Sequence, residues 1–219
     1  MKVAIILSGC GVYDGAEIHE SVLTSLVLAR AGAQIEYLAP DMPQARVVNH
    51  LDGSIMQGEQ RNVLVEAARI ARGKIKNIAT ANAQDYQAIF FPGGFGAATN
   101  LSNFASQGAA CTVQADVLEF AKQAAAYRIP ACYICIAPAL IPAIYDKGTQ
   151  LTIGNDADTA AQIQAMGGQH INCPVQECIV DQKHNVVSTP AYMLAENIAQ
   201  AAEGIEQAVV ATLGLINAG

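Results

Sequence analysis

Cys135 is the residue whose position most clearly suggests chemistry. It directly follows an apolar segment, residues 131–134, that is predicted to be a strand, and Pro138 favours the first turn of a helix just beyond it. This is the arrangement of a nucleophile elbow, in which a sharp turn lifts the nucleophile above the sheet. Free N–H groups at a helix start stabilise a thiolate, so we expect a lowered pKa for this thiol. The alternative is a small buried hydrophobic residue.

A glycine-rich turn could supply hydrogen-bond donors for the same chemistry. Residues 91–96 follow a predicted strand, and their glycines allow backbone N–H groups to face the crevice at the strand ends. Such groups can hold a developing oxyanion. A tight turn into a helix explains these residues equally well, so both interpretations stay open.

The other cysteines form no recognisable redox or zinc motif. Cys132 and Cys135 have C-x-x-C spacing, but they lie along a predicted strand, whereas redox pairs of this spacing span the first turn of a helix. Cys173 and Cys178 lack the neighbouring ligands of a tetrahedral zinc site. We therefore expect core or surface thiols at Cys10, Cys111, Cys132, Cys173 and Cys178.

The elements that position these residues alternate between strands and helices, which is typical of a parallel sheet covered on both faces. The predicted strands are residues 3–7, 34–38, 88–91, 131–134 and 186–188. The predicted helices are residues 17–31, capped by Gly32, then 62–72, 113–127 and 191–216, the last with Thr189 as N-cap and Pro190 in its first turn. Residues 41–60 are predicted to be a loop near the carboxyl end of the second strand.

Charge and composition exclude several classes of partner. Twelve Lys and Arg against 19 Asp and Glu give a net charge of −7 and a pI of about 5.0, which argues against nucleic acid and anionic membranes. The uncharged run 129–145 is too short for a membrane span and contains three prolines.

The composition also predicts the oligomeric state and the cellular compartment. Only 14% of residues are charged, against about a quarter in ordinary domains, so much of the surface is expected to be covered in a homo-oligomer. Six cysteines without an export signal predict reduced thiols and a cytoplasmic location.

Five sequence blocks together resemble a known superfamily. They are residues 6–15 (ILSGCGVYDG), 17–20 (EIHE), 91–98 (FPGGFGAA), 100–105 (NLSNFA) and 189–195 (TPAYMLA). They are similar to the cofactor-free superfamily related to class I glutamine amidotransferases, which includes PfpI-like proteins and the Parkinson's-associated deglycase. Within it they look like the ElbB branch, whose members are described both as glyoxalases and as isoprenoid-biosynthesis proteins. The resemblance implies one class I glutamine amidotransferase-like domain over residues 1–219, a flavodoxin-like three-layer α/β sandwich, and no cofactor or metal.

The resemblance also assigns roles to individual residues. It implies that Cys135 is the nucleophile and that Glu20 is a buried protonated acid hydrogen-bonded to it. In the mechanism that we expect, the N–H groups of Gly94 and Ile136 hold the oxyanion. The end of the matching helix selects Glu20 rather than Glu17. The sequence departs from its protease-like and amidotransferase relatives because Ile136, not a histidine, follows the nucleophile. Without a matched general base, peptide hydrolysis is disfavoured.

These observations favour a glutathione-independent glyoxalase-like lyase that converts glyoxal to glycolate, or a related deglycase. Its partner would be a small aldehyde, and a homodimer formed through the helix at residues 17–31 is expected by resemblance. Two alternatives stay open. One is a thiol redox sensor, holdase or regulatory protein, and the other is an amidase or amidotransferase subunit, which needs a histidine near Cys135.

Overall fold

Seven short segments form the central sheet, and two of them, the edge strands, were not predicted from the sequence. In the computed structural model, which describes residues 1–216, the seven are β1 (Lys2–Ile6), β2 (Gln34–Ala39), β3 (Ile75–Asn77), β4 (Ala88–Phe91), β5 (Ala131–Ile134), β8 (Ile179–Asp181) and β9 (Val186–Thr189). The strand order is β3-β2-β1-β4-β5-β9-β8, and only β8 runs antiparallel to its neighbour. A separate parallel pair consists of β6 (Gln150–Leu151) and β7 (Gln169–His170).

Helices cover both faces of this sheet. They are α1 (Ile18–Arg30), α2 (Val63–Ile70), α3 (Phe95–Thr99), α4 (Phe104–Gln107), α5 (Ala115–Ala126), α6 (Ile141–Ile144), α7 (Ala157–Ala165) and α8 (Ile198–Ile216). One face packs against α1, α2 and α8, and the other packs against α3 to α7. The predicted flavodoxin-like three-layer sandwich is confirmed.

The alternation of side chains along each strand divides the core in two. In β1, Ala4 and Ile6 point to the layer that contains α5, whereas Val3 and Ile5 point to the layer that contains α1 and α8. All four side chains are fully buried. Because both faces are covered, the strand is uniformly apolar rather than alternating in polarity.

The predicted cap of α1 is present, and side chains also cap α2 and α5. Gly32 has φ +73° and follows α1, and the N–H of Ala33 donates to the carbonyl of Leu28 at 3.0 Å, as expected for a left-handed C-terminal cap. The side chain of Asn62 accepts from the N–H of Val65 and starts α2. Gln114 does the same for α5, so the predicted start at residue 113 is two residues early.

The prediction that one helix runs from Ala191 with Thr189 as its N-cap is wrong. Thr189 is the last residue of β9, where it pairs with Ile134, and its hydroxyl donates to the carbonyl of Glu177. After it comes a single 3₁₀ turn, Ala191–Met193, and α8 begins only at Ile198. The N-cap is Asn197, whose side-chain oxygen accepts from two N–H groups of the first turn of α8 at 3.0 and 3.1 Å.

The sheet order reverses between β1 and β4, and a crevice is expected at the carboxyl ends of those strands. Residues 41–60 contain no helix and no strand of the sheet, as predicted, and they pack beside this crevice. The N–H of Val48, for example, donates to the buried carboxyl of Asp14 in the loop after β1. No helix within residues 1–216 has the length and apolar character needed to cross a membrane.

Candidate active site

Cys135 occupies a sharp turn at the carboxyl end of β5. Its φ is +63°, a left-handed conformation that is uncommon for a residue with a side chain, and its N–H donates to the carbonyl of Thr189 at 2.9 Å. A 3₁₀ turn, Ala137–Leu140, follows it and leads into the short helix α6. The backbone therefore has the strand–turn–helix form predicted for an elbow, with the long helix replaced by two short turns. Strained positions of this kind cluster at functional sites.

The paired glycines after β4 are explained by how closely the chain passes Cys135. A Cβ atom on Gly93 would overlap the Cβ of Cys135 and lie 2.8 Å from Oε2 of Glu20. Gly94 has φ +90°, and a Cβ there would overlap the backbone at Gly15 and Glu17. Neither position can carry a side chain without displacing the site.

Glu20 reaches Cys135 from the first turn of α1. Its side chain is fully buried, one oxygen accepts from the N–H of Gly93 at 2.9 Å, and the other accepts from the N–H of Tyr192 at 3.2 Å. The carboxyl also lies next to Cys135, because a Cβ on Gly93 would meet both Oε2 of Glu20 and the Cβ of Cys135, and its charge raises the pKa of the thiol. The structure thus brings together Cys135 and Glu20, which the sequence analysis paired by resemblance.

Burial dominates the protonation of this pair. The pKa of Glu20 is raised from 4.5 to about 7, first by loss of solvent and then by the charge of Glu17, against the opposing effect of its hydrogen-bond donors. The pKa of Cys135 is raised well above 9, first by burial and then by the Glu20 carboxylate. The expected lowered pKa of Cys135 is therefore wrong, because desolvation outweighs the nearby N–H groups. The resting site is a thiol beside a carboxyl group that titrates near neutral pH.

The two N–H groups assigned to an oxyanion site both lie at Cys135. Those of Gly94 and Ile136 face its sulfur, where they lower the pKa against the larger effect of burial. Within residues 1–216, neither group donates to another backbone or side-chain acceptor. Gly93 differs, because its N–H is taken by Glu20. Of the two glycines, Gly94 is the one with a donor available at the sulfur.

A cavity of about 350 Å³ opens over the Cys135 sulfur. Its walls are mainly apolar and include Phe95, Phe104 and Met193, while Glu17, Thr159 and Tyr192 contribute polar side chains. Cys135 itself is 7% exposed, which leaves its sulfur reachable only from this cavity side. Apolar walls with a few convergent polar groups are typical of small-molecule sites.

Two residues near Cys135 and Glu20, namely Tyr192 and His19, were not assigned a role from the sequence. Tyr192 lines the cavity, its N–H donates to Glu20, and its hydroxyl lies 2.8 Å from Nδ1 of the exposed His19. The only available signal was that both residues fall within sequence blocks that carry the resemblance. His50, His170 and His184 bond elsewhere, to the backbone of Tyr13, to the backbone of Ile153 and to the Asp181 side chain, respectively. None of the four histidines, all within the described part of the chain, lines the cavity.

The remaining cysteines are free thiols apart from this cavity. Cys132 is fully buried, and burial raises its pKa to about 12. Among residues 1–216, no three His, Cys, Asp or Glu side chains are grouped in a way that could hold a metal ion.

Known proteins share both this sequence and this fold. The chain is 43% identical over 223 aligned positions to the mitochondrial ES1 protein homolog of Rattus norvegicus, covering 98% of this chain and 84% of the relative. The chain belongs to the ES1 family. It is also 45% identical over 201 positions to the human mitochondrial glutamine amidotransferase-like class 1 domain-containing protein 3, covering 88% of this chain and 75% of that protein. No family model matches the sequence.

A solved structure agrees with the ES1 assignment. The crystal structure of an isoprenoid biosynthesis protein with an amidotransferase-like domain from Ehrlichia chaffeensis superposes with a TM-score of 0.92 at 31% identity, covering 98% of this chain and 99% of that chain. The predicted relationship to class I glutamine amidotransferase-like proteins is confirmed, and the PfpI-like relationship is confirmed at the level of fold.

One prediction is contradicted by the ES1 relatives. The cytoplasmic location inferred from reduced cysteines is wrong, because the rat and human relatives are both named as mitochondrial proteins. Composition alone could not separate these compartments, because a chain with free thiols and no membrane span is compatible with both.

Proposed function

We propose that this ES1-family chain is a glutathione-independent glyoxalase of the ElbB type, which converts small α-oxoaldehydes to hydroxy acids through Cys135. The observation that carries the proposal is the buried Glu20 carboxyl, with a pKa of about 7, next to a thiol at a strained turn beneath a cavity. A base that titrates near the working pH is the efficient partner for a thiol that must lose its proton to react.

The first step is addition of the sulfur to the aldehyde. As the carbon–sulfur bond forms, the thiol proton passes to Glu20, so the high resting pKa of Cys135 does not prevent attack. The carbonyl oxygen becomes an oxyanion, which the N–H groups of Gly94 and Ile136 are available to stabilise. Protonation of that oxygen gives a hemithioacetal. The ionised form of Glu20 accepts this proton, and the protonated form that results is the acid expected from the sequence.

The second stage moves hydrogen within the bound molecule. A base removes the proton from the hemithioacetal carbon to form an enediol, and return of a proton to the adjacent carbon gives a thioester of the hydroxy acid. Water then cleaves the thioester and restores the thiol. With glyoxal the sum is one glyoxal plus one water giving one glycolic acid, so no external oxidant or reductant is required.

The alternatives fit the site less well. An amidase needs a histidine to activate the cysteine, and none of the four histidines reaches the cavity. A peroxide sensor needs an exposed thiol of low pKa, whereas Cys135 is 7% exposed and has a raised pKa. Both observations favour catalysis that removes the thiol proton only when substrate is present.

The proposal includes a homodimer formed through α1. Ile18, Val22 and Leu26 lie four residues apart on this helix and are 43%, 50% and 42% exposed, which gives an apolar stripe directed to solvent. A second copy of α1 would bury this stripe.

The test is turnover of glyoxal by purified protein, followed by proton NMR. We expect glycolate from the native chain and from Cys111→Ser, a control in a half-buried thiol outside the cavity. Cys135→Ser and Glu20→Gln should each lower kcat/KM by at least about 100-fold. Unchanged turnover by Cys135→Ser would refute the mechanism, and activity confined to glycated protein adducts would indicate a deglycase.

A further inference from the structure

The side chains that line the cavity over Cys135 include an acidic group and no basic one. Among its lining side chains in residues 1–216, Glu17 carries the one formal charge at neutral pH, and the rest are apolar or uncharged. No lysine, arginine or histidine side chain of the described residues faces this cavity. Glu20 adds a second carboxyl directly behind the sulfur. An anionic ligand entering here would meet the Glu17 carboxylate, and that of Glu20 when it is ionised, with only the uncharged N–H groups of Gly94 and Ile136 and no cation to oppose them.

Glu17 is held in place rather than free to turn away. It is the N-cap of α1, where its Oε2 accepts from the N–H of Glu20 at 2.6 Å, and its own N–H donates to the carbonyl of Gly93 at 2.9 Å. Glu17 as a whole is 8% exposed to solvent. A carboxylate fixed in a poorly solvated wall interacts strongly with any charge placed in the same cavity.

The charge of Glu17 changes the pKa of neighbouring groups. It raises the pKa of Glu20, as a contribution second to burial, and it also raises the pKa of Tyr192 after burial. The guanidinium of Arg46 lies 5.5 Å from the ring centre of Phe95 and donates to the backbone carbonyl of Tyr13. Arg46 is not among the residues that line the cavity.

We propose that Glu17 is a specificity-determining residue that excludes anions from the Cys135 site, so that the site takes uncharged α-oxoaldehydes bearing an apolar group. The volume of about 350 Å³ lies within the range of pockets that hold drug-sized ligands, and glyoxal would leave most of it empty. The apolar walls fit a hydrocarbon or aromatic substituent, whereas a carboxylate or phosphate on the substrate would face Glu17. The substrate part of this inference rests on the proposed function, but the exclusion of anions does not.

The electrostatic part can be tested without turnover. Three methanethiosulfonates differ in the charge of the group they transfer: the neutral methyl, the anionic sulfonatoethyl and the cationic trimethylammonioethyl reagents. Each forms a mixed disulfide with the thiol and releases methanesulfinate. The rate at Cys135 is followed by peptide mass spectrometry and divided by the rate of the same reagent with free 2-mercaptoethanol, which removes intrinsic differences in reactivity.

We expect the normalised rate at Cys135 to be at least about tenfold lower for the anionic than for the cationic reagent. Glu17→Gln keeps a side-chain oxygen for the helix cap and should reduce this ratio to about threefold or less. Glu119→Gln, the same charge change on the exposed face of α5, should leave it as in the native chain. Equal rates for both charged reagents in the native chain would overturn the proposal, as would no modification of Cys135 by any of the three.

A second arm tests the substrate class. Phenylglyoxal and 4-carboxyphenylglyoxal share the reacting group and differ by one carboxylate. We expect at least about tenfold higher kcat/KM for phenylglyoxal in the native chain, with the preference reduced in Glu17→Gln. Equal values would overturn the assignment of substrate class. Absence of turnover with every aldehyde, together with the charge selectivity at Cys135, would reject the proposed function and leave the exclusion of anions standing.

Discussion

Replacing Glu20 by glutamine should change how the stability of the protein depends on pH. The pKa of Glu20 rises from 4.5 to about 7 on folding, so between these values the folded state holds a proton that the unfolded state has released. The free energy of unfolding therefore falls as pH increases through this window. A displacement from 4.5 to about 7 corresponds to about 3 kcal/mol once the group is ionised in both states, of which about 2.5 kcal/mol develops between pH 5 and pH 8.

Glu20→Gln removes this contribution and retains the shape of the side chain. The glutamine has one oxygen in place of two, so it cannot accept from both Gly93 and Tyr192, and it loses about 1–2 kcal/mol at every pH. Relative to the native chain, the variant should therefore be less stable at pH 5 and should gain about 2.5 kcal/mol by pH 8. Cys135 does not contribute in this window, because its pKa lies well above 9.

The assay is urea denaturation of the two proteins at pH 5, 6, 7 and 8, with Glu119→Gln as an exposed control. Groups that titrate in both proteins cancel in the difference between them, apart from the coupling of Glu20 to Glu17. We expect the difference curve for Glu20→Gln to slope with pH and that for Glu119→Gln to be flat. Parallel stability curves for native and Glu20→Gln protein would refute the buried, proton-accepting state of this carboxyl.

Four further outcomes are expected. Gly93→Ala should lower the free energy of unfolding by about 1–3 kcal/mol, measured by urea denaturation, because its Cβ would overlap that of Cys135. Asn197→Ala should cost about 1 kcal/mol in the same measurement through loss of the α8 cap. Val22→Glu should convert the proposed dimer to a monomer in light scattering, and an unchanged mass would contradict the α1 interface. Glyoxal turnover should rise with pH through about 7 as Glu20 ionises, and a rate that falls over this range would contradict its role as a base.

The sequence predicted five of the seven strands of the sheet, because the strands that are buried on both faces are apolar. The edge strands β3 and β8 were not predicted, because each has only three residues and includes polar ones. A strand such as β5 is buried on both faces, so its composition identifies it without reference to distant residues. The turn at Cys135 was also predictable, since a strand, a cysteine and a proline follow one another locally. The pairing of Cys135 with Glu20, by contrast, came from family resemblance, because residues far apart in sequence meet only through the strand order.

Other features of the site could not be predicted from sequence. The sign of the Cys135 pKa depends on the balance between burial and N–H groups, and burial is a property of the assembled cavity. The start of α8 was misplaced because Thr189 and Pro190 form a good capping pattern, yet sheet pairing with Ile134 holds Thr189 in β9. Tertiary pairing overrides a local helix signal in this case.

Rapid-quench mass spectrometry of the protein mixed with glyoxal tests whether Cys135 is the nucleophile. We expect an adduct of one glyoxal on the Cys135 peptide, which forms and decays as fast as glycolate appears. In Glu20→Gln this adduct should form much more slowly, while Cys111→Ser should behave as the native chain. Glycolate production without an adduct on Cys135, or equal adducts on all six cysteines, would contradict this role of Cys135.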